Sequence, residues 1–247
     1  MKNVLIIGYG VVGRNLYKEL ERLHPDIYDK FKTEVNTKRN IKYDFAFVCI
    51  DTPKMDTIDA PIDDLVSAIQ ENNAAIYIIK STILPNSTNK LIEITGKQII
   101  FSPEYYGGTQ HCNNYDFNFT ILGGKKEICC EVIQLLQNCY DARHIFHITD
   151  SVTAELNKYM ENSWLATKVS FCNQFNLIAQ QLGVNYEELR ELFILDPRVN
   201  PSHTFVYKDH PYWDSHCLNK DVPTIAKYAD AELLKAIIEF NEHCKRP

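Results

Sequence analysis

The sequence lacks any apolar run long enough to cross a membrane. Its apolar stretches are far shorter than the roughly 18 consecutive residues that a spanning helix needs, so no membrane partner is expected. The chain also lacks an excess of basic residues, since its formal net charge is −6. Clustered lysine and arginine supply most of the affinity for a phosphate backbone. We therefore expect no nucleic-acid partner.

Paired cysteine motifs are absent too. The eight cysteines are scattered without a CxxC pair, so we predict neither a disulfide framework nor a metal site. The apolar opening, MKNVLIIGYG, leads into a glycine turn and not into a small-residue cleavage site, which indicates a strand instead of a signal peptide. Together these features predict a cytoplasmic protein with reduced thiols.

Apolar strands alternate with amphipathic helices through residues 1–148. The strand-like segments are NVLIIG, DIYDKF, YDFAFVCI, AAIYIIK, KQIIFS, FNFTILGG and HIFHI. Such alternation is typical of an α/β fold, in which helices cover both faces of a doubly wound parallel sheet. We predict a Rossmann domain over residues 1–148.

The periodicity becomes purely helical at Thr149 and stays so for about 30 residues. Thr149, Asp150 and Ser151 offer N-cap oxygens, and Gly183 offers a C-terminal stop. Residues 149–247 are therefore predicted to form an all-helical domain with one long helix. Within it, residues 195–220 have the composition of a Pro-rich loop, and one or two helices follow.

A glycine-rich turn joins the first strand to the first helix. It reads GxGxxG and consists of Gly8, Tyr9, Gly10, Val11, Val12 and Gly13. In this position the motif predicts a dinucleotide site, with the pyrophosphate at the helix N-terminus. Asp29 follows the second strand at the place where an acid binds the ribose of NAD. Lys30 beside it would tolerate a 2′-phosphate, so the choice between NAD and NADP stays open.

Two polar segments follow predicted strands directly, KSTILPNST (80–88) and FSPEYYGG (101–108). Because ligands bind at the carboxyl ends of the strands in such sheets, we expect Thr82 and Glu104 near the cofactor, although turn and cap roles are the alternative. On the long helix, Lys158 and Asn162 share a face with Glu155. This spacing predicts a polar patch turned toward a site.

One cysteine lies among polar residues, in DSHCLNKDV (214–222). Positive charge beside a thiol favours the nucleophilic thiolate, and His216 and Lys220 flank Cys217. A surface loop that happens to contain a cysteine is the alternative reading of this segment alone.

Seven motifs in order give the chain a family resemblance. They are GYGVVG, CIDTP, KSTILPNST, FSPEYYGGT, AELNKYMEN, LDPRVNPSH and HCLNKD. Along nearly its whole length the chain resembles the UDP-glucose/GDP-mannose 6-dehydrogenase family. The resemblance implies NAD-dependent oxidation of the primary alcohol of a nucleotide sugar to the uronic acid, through a cysteine thiohemiacetal and thioester.

The resemblance also implies a role for each matching residue. Cys217 corresponds to the nucleophile, Lys158 and Asn162 to the pair that holds the reacting oxygen, and Asp221 to the aspartate that orders water and Lys158. The other implied positions are Thr82 and Glu104 at the nicotinamide end, with Glu104 in thioester hydrolysis, Thr52 and Pro53 at the cofactor, and Lys220 and Arg198 at the substrate. Arg198 is expected to reach the site from a partner subunit, and the long helix, 149–182, to form a homodimer.

The chain departs from the family pattern at two places. It ends at Pro247, where the family continues into a second Rossmann-like domain that holds the sugar nucleotide. A glycine-rich segment before the cysteine is replaced by YWDSHC, so Trp213, Asp214 and His216 add side chains beside the expected substrate. The open alternatives are the same chemistry on another substrate, a partner chain that completes the site, and a non-catalytic NAD-binding dimer.

Overall fold

The computed structural model describes residues 2–52, 62–106 and 117–246. The described residues form two compact units. The first unit holds residues 2–52 and 62–158, and the second unit holds residues 159–246. The division lies inside the long helix and not at its start, the boundary expected from the sequence.

A seven-stranded sheet forms the centre of the first unit. Its strands are β1 (Val4–Ile7), β2 (Asp26–Tyr28), β3 (Tyr43–Val48), β4 (Ala74–Ile79), β5 (Gln98–Phe101), β6 (Phe119–Gly123) and β7 (Ile145–Thr149). They lie in the order β2-β1-β3-β4-β5-β6-β7. The α/β sheet is confirmed, and β1 to β5 are parallel. The expectation of a wholly parallel sheet needs correction, because β6 pairs antiparallel with β5 and β7 is parallel to β6.

Helices cover both faces of this sheet. They are α1 (Val11–Glu19), α2 (Asp63–Gln70), α3 (Ser87–Thr95) and α4 (Lys126–Leu136). Successive strand residues point to opposite faces. Ile6 and Phe47 therefore pack in a core with α1 and α4, while Leu5 and Val48 pack in a second core that includes side chains of α2 and α3. Burial on both faces explains why these strands are almost continuously apolar.

Four helices follow the sheet. They are α5 (Ser151–Leu182), α6 (Tyr186–Phe193), α7 (His216–Tyr228) and α8 (Glu232–Cys244). At the start of α5, the Asp150 carboxylate accepts the Thr153 N–H at 2.9 Å, and at its end Gly183 has a φ of 68°. The predicted long helix is thus confirmed. No helix in the described part of the chain combines the length and apolarity that crossing a membrane requires.

The predicted loop 195–220 is wrong in its last five residues, because α7 begins at His216. The Ser215 hydroxyl accepts the Leu218 N–H at 3.3 Å and so caps the helix. Pro223 lies inside α7. A proline is usual in the first turn of a helix, so the sequence pattern favoured a start near Asp221. The correction moves Cys217 and Lys220 from a loop onto a helix.

Candidate functional site

The glycine turn of the first unit is shaped by close backbone packing. A Cβ on Gly8, whose φ is 91°, would lie 2.8 Å from the Cys49 carbonyl oxygen, and a Cβ on Gly13 would lie 2.0 Å from the Gly8 carbonyl oxygen. A Cβ on Gly10 would meet no atom within 4 Å. The first and third glycines therefore allow strand and helix to pack, whereas the second leaves an open face beside the N-terminus of α1. This geometry fits a pyrophosphate.

Asp29 is buried and holds the turn from β2 in place. Its carboxylate accepts the N–H groups of Tyr9 at 2.7 Å, Phe31 at 2.9 Å and Lys32 at 2.8 Å. Burial alone would raise the pKa of Asp29, but these hydrogen bonds outweigh burial and lower it. A carboxylate has about four acceptor positions, so Asp29 retains about one for a ribose hydroxyl.

Two lysines accompany this acid. Lys30 is exposed. Lys32, which the sequence reasoning did not single out, donates from Nζ to the Tyr9 carbonyl at 3.1 Å. It is therefore Lys32 that the structure places on the glycine turn. Its backbone N–H and its ammonium thus both contact this region, at Asp29 and at Tyr9.

The carboxyl ends of β3 and β4 are joined by one polar contact. The Thr52 hydroxyl donates to the Thr82 carbonyl oxygen at 2.8 Å. Both residues were predicted at the cofactor, and the structure brings them together at this sheet edge. Pro53, predicted beside Thr52, lies outside the described residues.

Glu104 lies just beyond β5 and is buried. Its carboxylate accepts the Tyr106 N–H at 2.7 Å. The next residue, Tyr105, carries the Lys158 ammonium 4.8 Å from its ring centroid and accepts a hydrogen bond from Asn157 at 3.2 Å. The segment after β5 and the first turns of α5 thus meet within the first unit, and they bring Glu104 and Lys158 into one neighbourhood.

A buried carboxylate anchors the same part of α5. Glu155, with none of its surface exposed, accepts the backbone N–H groups of Asn86 at 2.5 Å and Thr88 at 2.8 Å, and the Thr88 hydroxyl at 2.6 Å. It therefore satisfies donors at the N-terminus of α3. Burial raises the pKa of Glu155 to about 7, against the effect of these hydrogen bonds. Glu155 fixes the segment after Thr82 to the helix that carries Lys158.

In the second unit, Asn162 donates to a buried aspartate. The Asn162 side-chain amide lies 2.6 Å from Asp221 Oδ2, and both residues are buried. The Lys220 ammonium lies 3.4 Å from Asp221 Oδ1. This contact joins α5 to α7 across 59 positions of sequence, and it orients the Asn162 amide. The paired charges of Lys220 and Asp221 are largely excluded from solvent, which strengthens their interaction.

Cys217 lies in the first turn of α7 and is half-buried. The partial positive charge of a helix N-terminus favours an anionic side chain at such a position. Lys220 and Asp221 follow at i+3 and i+4, and so lie on the same helix face as Cys217. The structure therefore groups Cys217, Lys220, Asp221 and Asn162 within the second unit. None of the seven described cysteines forms a disulfide.

The three side chains that the segment YWDSHC adds, those of Trp213, Asp214 and His216, lie in different environments. Trp213 is buried, and its indole donates to the Ser170 hydroxyl at 3.1 Å. Its backbone N–H donates to the Asn241 side chain at 2.9 Å. Asp214 and His216 are exposed. At this departure from the family pattern, Trp213 therefore connects the start of α7 to α5 and α8 through hydrogen bonds.

In the described part of the chain, Arg198, predicted to contact the substrate, forms no hydrogen bond or ion pair with Glu104, Lys158 or Cys217. Its side chain is 87% exposed and forms an ion pair with Asp196. Its role at the substrate, expected from a partner subunit, stays a prediction.

The fold agrees with that of a class of solved enzymes. The structure of a UDP-glucose dehydrogenase from Pyrobaculum islandicum superposes on it with a TM-score of 0.81 at 19% identity, covering 98% of this chain and 68% of that chain. The chain therefore shares the fold of that enzyme.

Sequence comparison adds a family match over the second part of the chain. Residues 152–243 match the model of the UDP-glucose/GDP-mannose dehydrogenase family, central domain, which confirms the resemblance found in the motifs. The GDP-mannose 6-dehydrogenase of Pseudomonas syringae pv. tomato is 27% identical over 80% of this chain and 50% of its own length. The UDP-N-acetyl-D-mannosamine dehydrogenase of Methanococcus maripaludis is 26% identical over 96% of this chain and 60% of its own length. The chain thus spans between half and two thirds of these relatives.

Proposed function

We propose that this protein oxidises the primary alcohol of a nucleotide sugar to the uronic acid, with NAD as the hydride acceptor and Cys217 as the covalent nucleophile. One observation carries the proposal. Cys217 lies on the same face of α7 as Lys220 and Asp221, and Asp221 holds the Asn162 amide at 2.6 Å. A nucleophile, a cation and an oriented amide donor are the groups that carbonyl chemistry needs.

The first unit supports the choice of cofactor. The open face at Gly10, the N-terminus of α1 and the single remaining acceptor position of Asp29 fit a dinucleotide with an unmodified ribose. When bound, NAD supplies a hydride acceptor. Thr82 and Glu104 follow β4 and β5, at the carboxyl edge where the nicotinamide end of a dinucleotide lies in such folds.

The residues of the chain divide the chemistry as follows. Oxidation of the alcohol gives an aldehyde, and the Cys217 sulfur attacks its carbon to form a thiohemiacetal. The Lys158 ammonium and the Asn162 amide stabilise the negative charge on the substrate oxygen. A second oxidation gives the thioester. Glu104 accepts a proton from water, which attacks the thioester, releases the carboxylate and returns the thiol. One sugar therefore consumes two NAD and one water.

A homodimer is part of this proposal. Met160 and Trp164, four residues apart on α5, are 73% and 60% exposed, and Phe171 and Phe175 continue the apolar face. Large exposed apolar patches mark interaction sites. A second copy covering this face would also bring an Arg198 from outside the chain. Trp164→Glu is expected to convert a dimer into a monomer in sedimentation velocity, and an unchanged sedimentation coefficient would refute this interface.

The proposal places the protein in the cytoplasm, as expected from eight scattered cysteines without a CxxC pair. Its substrate is one of the sugars that name the relatives, namely UDP-glucose, GDP-mannose or UDP-N-acetylmannosamine.

The test is the stoichiometry of NADH formation with these three sugars. With one of these sugars we expect two NADH for each sugar consumed. In Cys217→Ala we expect no NADH from the second oxidation, so the reaction stops at the aldehyde with all three sugars. Binding of NAD without turnover would contradict a stand-alone enzyme and favour a partner chain or a non-catalytic module. NADP used in preference to NAD would contradict the role given to Asp29.

A further inference from the structure

The first unit contains a cavity of about 510 Å³ at the carboxyl edge of β4 and β5. Its wall includes residues of α1, the end of β4, the segment after β5, the start of β6 and the segment after α4. This volume lies within the range of small-molecule sites. Charged and aromatic side chains share the wall, among them Glu19, Lys80, Glu104 and Tyr140. The cavity is therefore suited to a polar ligand with an apolar face.

Lys80 is the cation in the interior of this wall. Only 9% of its surface is exposed. Its ammonium donates to the Ser102 hydroxyl at 3.3 Å and the Pro103 carbonyl at 3.4 Å, and neither acceptor is charged. Burial lowers the pKa of Lys80. A buried ammonium is costly unless an anion contacts it, so Lys80 favours a negatively charged ligand group.

The nearby carboxylates are held by other donors. Glu19 accepts the Tyr140 hydroxyl at 2.5 Å and a hydrogen bond from the Tyr106 hydroxyl. Burial and the Glu19 charge raise the pKa of both phenols, so both remain donors to Glu19. Glu104 accepts the Tyr106 N–H at 2.7 Å. Tyr106 thus donates to both carboxylates, and both carboxylates also act on Lys80 through their negative charge.

The charge of the wall favours a ligand with one negative charge over a ligand with two. Among the described residues of the wall, the half-buried Glu19 and the buried Glu104 accompany one buried ammonium, while Arg143 and Asp141 pair with each other at 3.1 Å on the surface. The second carboxylate would repel a phosphate dianion about twice as strongly as a single ligand carboxylate, because the repulsion scales with charge. A single carboxylate on a polyhydroxylated body would meet the ammonium, and its hydroxyl groups would find the amides of Asn15 and Asn118.

We propose that this cavity binds a sugar acid, with the sugar carboxylate on Lys80. The inference rests on the proposed function, whose product is a sugar acid, and it names Lys80 as a binding residue for that product. An ammonium–carboxylate hydrogen bond is stronger than a neutral one. Sugar acids should therefore bind at least about tenfold more tightly than the neutral sugar of the same shape.

Binding of free D-glucuronate, D-glucose and inorganic phosphate to the full chain tests this by isothermal calorimetry. The expected order is glucuronate first, with glucose at least about tenfold weaker. Lys80→Met should remove that preference, Lys80→Arg should keep most of it, and Lys97→Met, at an exposed lysine, should keep all of it. Equal binding of glucuronate and glucose, stronger binding of phosphate, or an unchanged preference in Lys80→Met would each overturn the proposal.

A second measurement applies if Lys80→Met does not fold. Acetic anhydride acylates unprotonated lysines, so peptide mass spectrometry of the native chain gives the acylation rate of Lys80 directly. Glucuronate should slow acylation at Lys80 and not at Lys97, and glucose should slow neither. Equal rates at Lys80 with and without glucuronate would refute the site. The two proposals fail separately, because turnover without glucuronate binding refutes only this inference, and binding without turnover refutes only the proposed function.

Discussion

The two compact units bury their apolar side chains to different degrees. In the first unit, the central strands are buried on both sheet faces between helices. In the second unit a small core surrounds Trp213 and Val222, while Met160 and Trp164 stay largely exposed. The described apolar residues of the first unit are thus mostly covered, whereas the second unit has an exposed apolar face of the kind that marks an interaction site. The glycine turn lies in the first of these units and Cys217 in the second.

The largest expected effect concerns the chemistry of the second unit. Cys217→Ala should lower formation of the uronic acid by at least about 10³-fold, because the thioester cannot form. Cys130→Ala, at a half-buried cysteine of α4, should leave the rate within about twofold. Uronic-acid formation is followed by chromatography of the sugar product. Equal rates in the two variants would remove Cys217 from the mechanism.

The two tryptophans of the chain distinguish the buried core of the second unit from its exposed apolar face. Trp213→Ala should lower the free energy of unfolding of the second unit by about 3–5 kcal/mol, since it empties the core and breaks the contact with Ser170. Trp164→Ala should change the unfolding of the monomer by less than about 0.5 kcal/mol and weaken self-association instead. Urea unfolding at several protein concentrations measures both. A large concentration-independent loss in Trp164→Ala would show that its face is packed within the chain.

Two glycines of the first unit separate folding from binding. Gly13→Ala should cost at least about 3 kcal/mol, because its Cβ would lie 2.0 Å from the Gly8 carbonyl oxygen. Gly10→Ala should change stability by less than about 0.5 kcal/mol and weaken NAD binding, since its Cβ would occupy the open face. Thermal unfolding and NAD titration distinguish these outcomes. Unaltered NAD affinity in Gly10→Ala would place the pyrophosphate elsewhere.

A smaller effect is expected from Glu155. Its pKa is raised from 4.5 to about 7, so the folded state binds the proton more tightly than the unfolded state. The contribution of this group to stability is therefore present at low pH and lost as pH rises, by about 3 kcal/mol between pH 4.5 and pH 7. Glu155→Gln should flatten that part of the stability profile. Urea unfolding at pH 5 and pH 8 measures this. The same change in the free energy of unfolding between these pH values in the wild type and in Glu155→Gln would contradict the raised pKa of Glu155.

Local patterns explain what was predictable from the sequence. The glycine turn, the strands of the sheet and the helix from 151 to 182 depend on near neighbours, and periodicity indicates such elements well. The direction of β6 was not predictable, because alternation of strands and helices does not reveal whether a strand runs parallel. The start of α7 was missed because the Pro-rich composition of residues 195–220 indicated a loop, whereas the Ser215 hydroxyl caps a helix that begins at His216.

Contacts between distant residues explain what was not predictable. The resemblance suggested roles for Asn162 and Asp221, but the hydrogen bond between them spans 59 positions and follows from packing of α5 on α7. The burial of Lys80 likewise depends on Ser102 and Pro103, which follow the neighbouring strand. Trp213 looked like an obstacle to the substrate in the sequence, and only its contacts show that it is an anchor.

The central claim is that a sugar becomes covalently attached to Cys217. Glu104→Gln removes the carboxylate that we propose as the proton acceptor during hydrolysis, so a thioester should accumulate when this variant receives NAD and its sugar. Peptide mass spectrometry after rapid acid quenching is the most direct measurement. The account predicts a sugar-acyl mass on the peptide that contains Cys217 and its absence in Cys217→Ala. Continued NADH formation with no adduct on that peptide would contradict it.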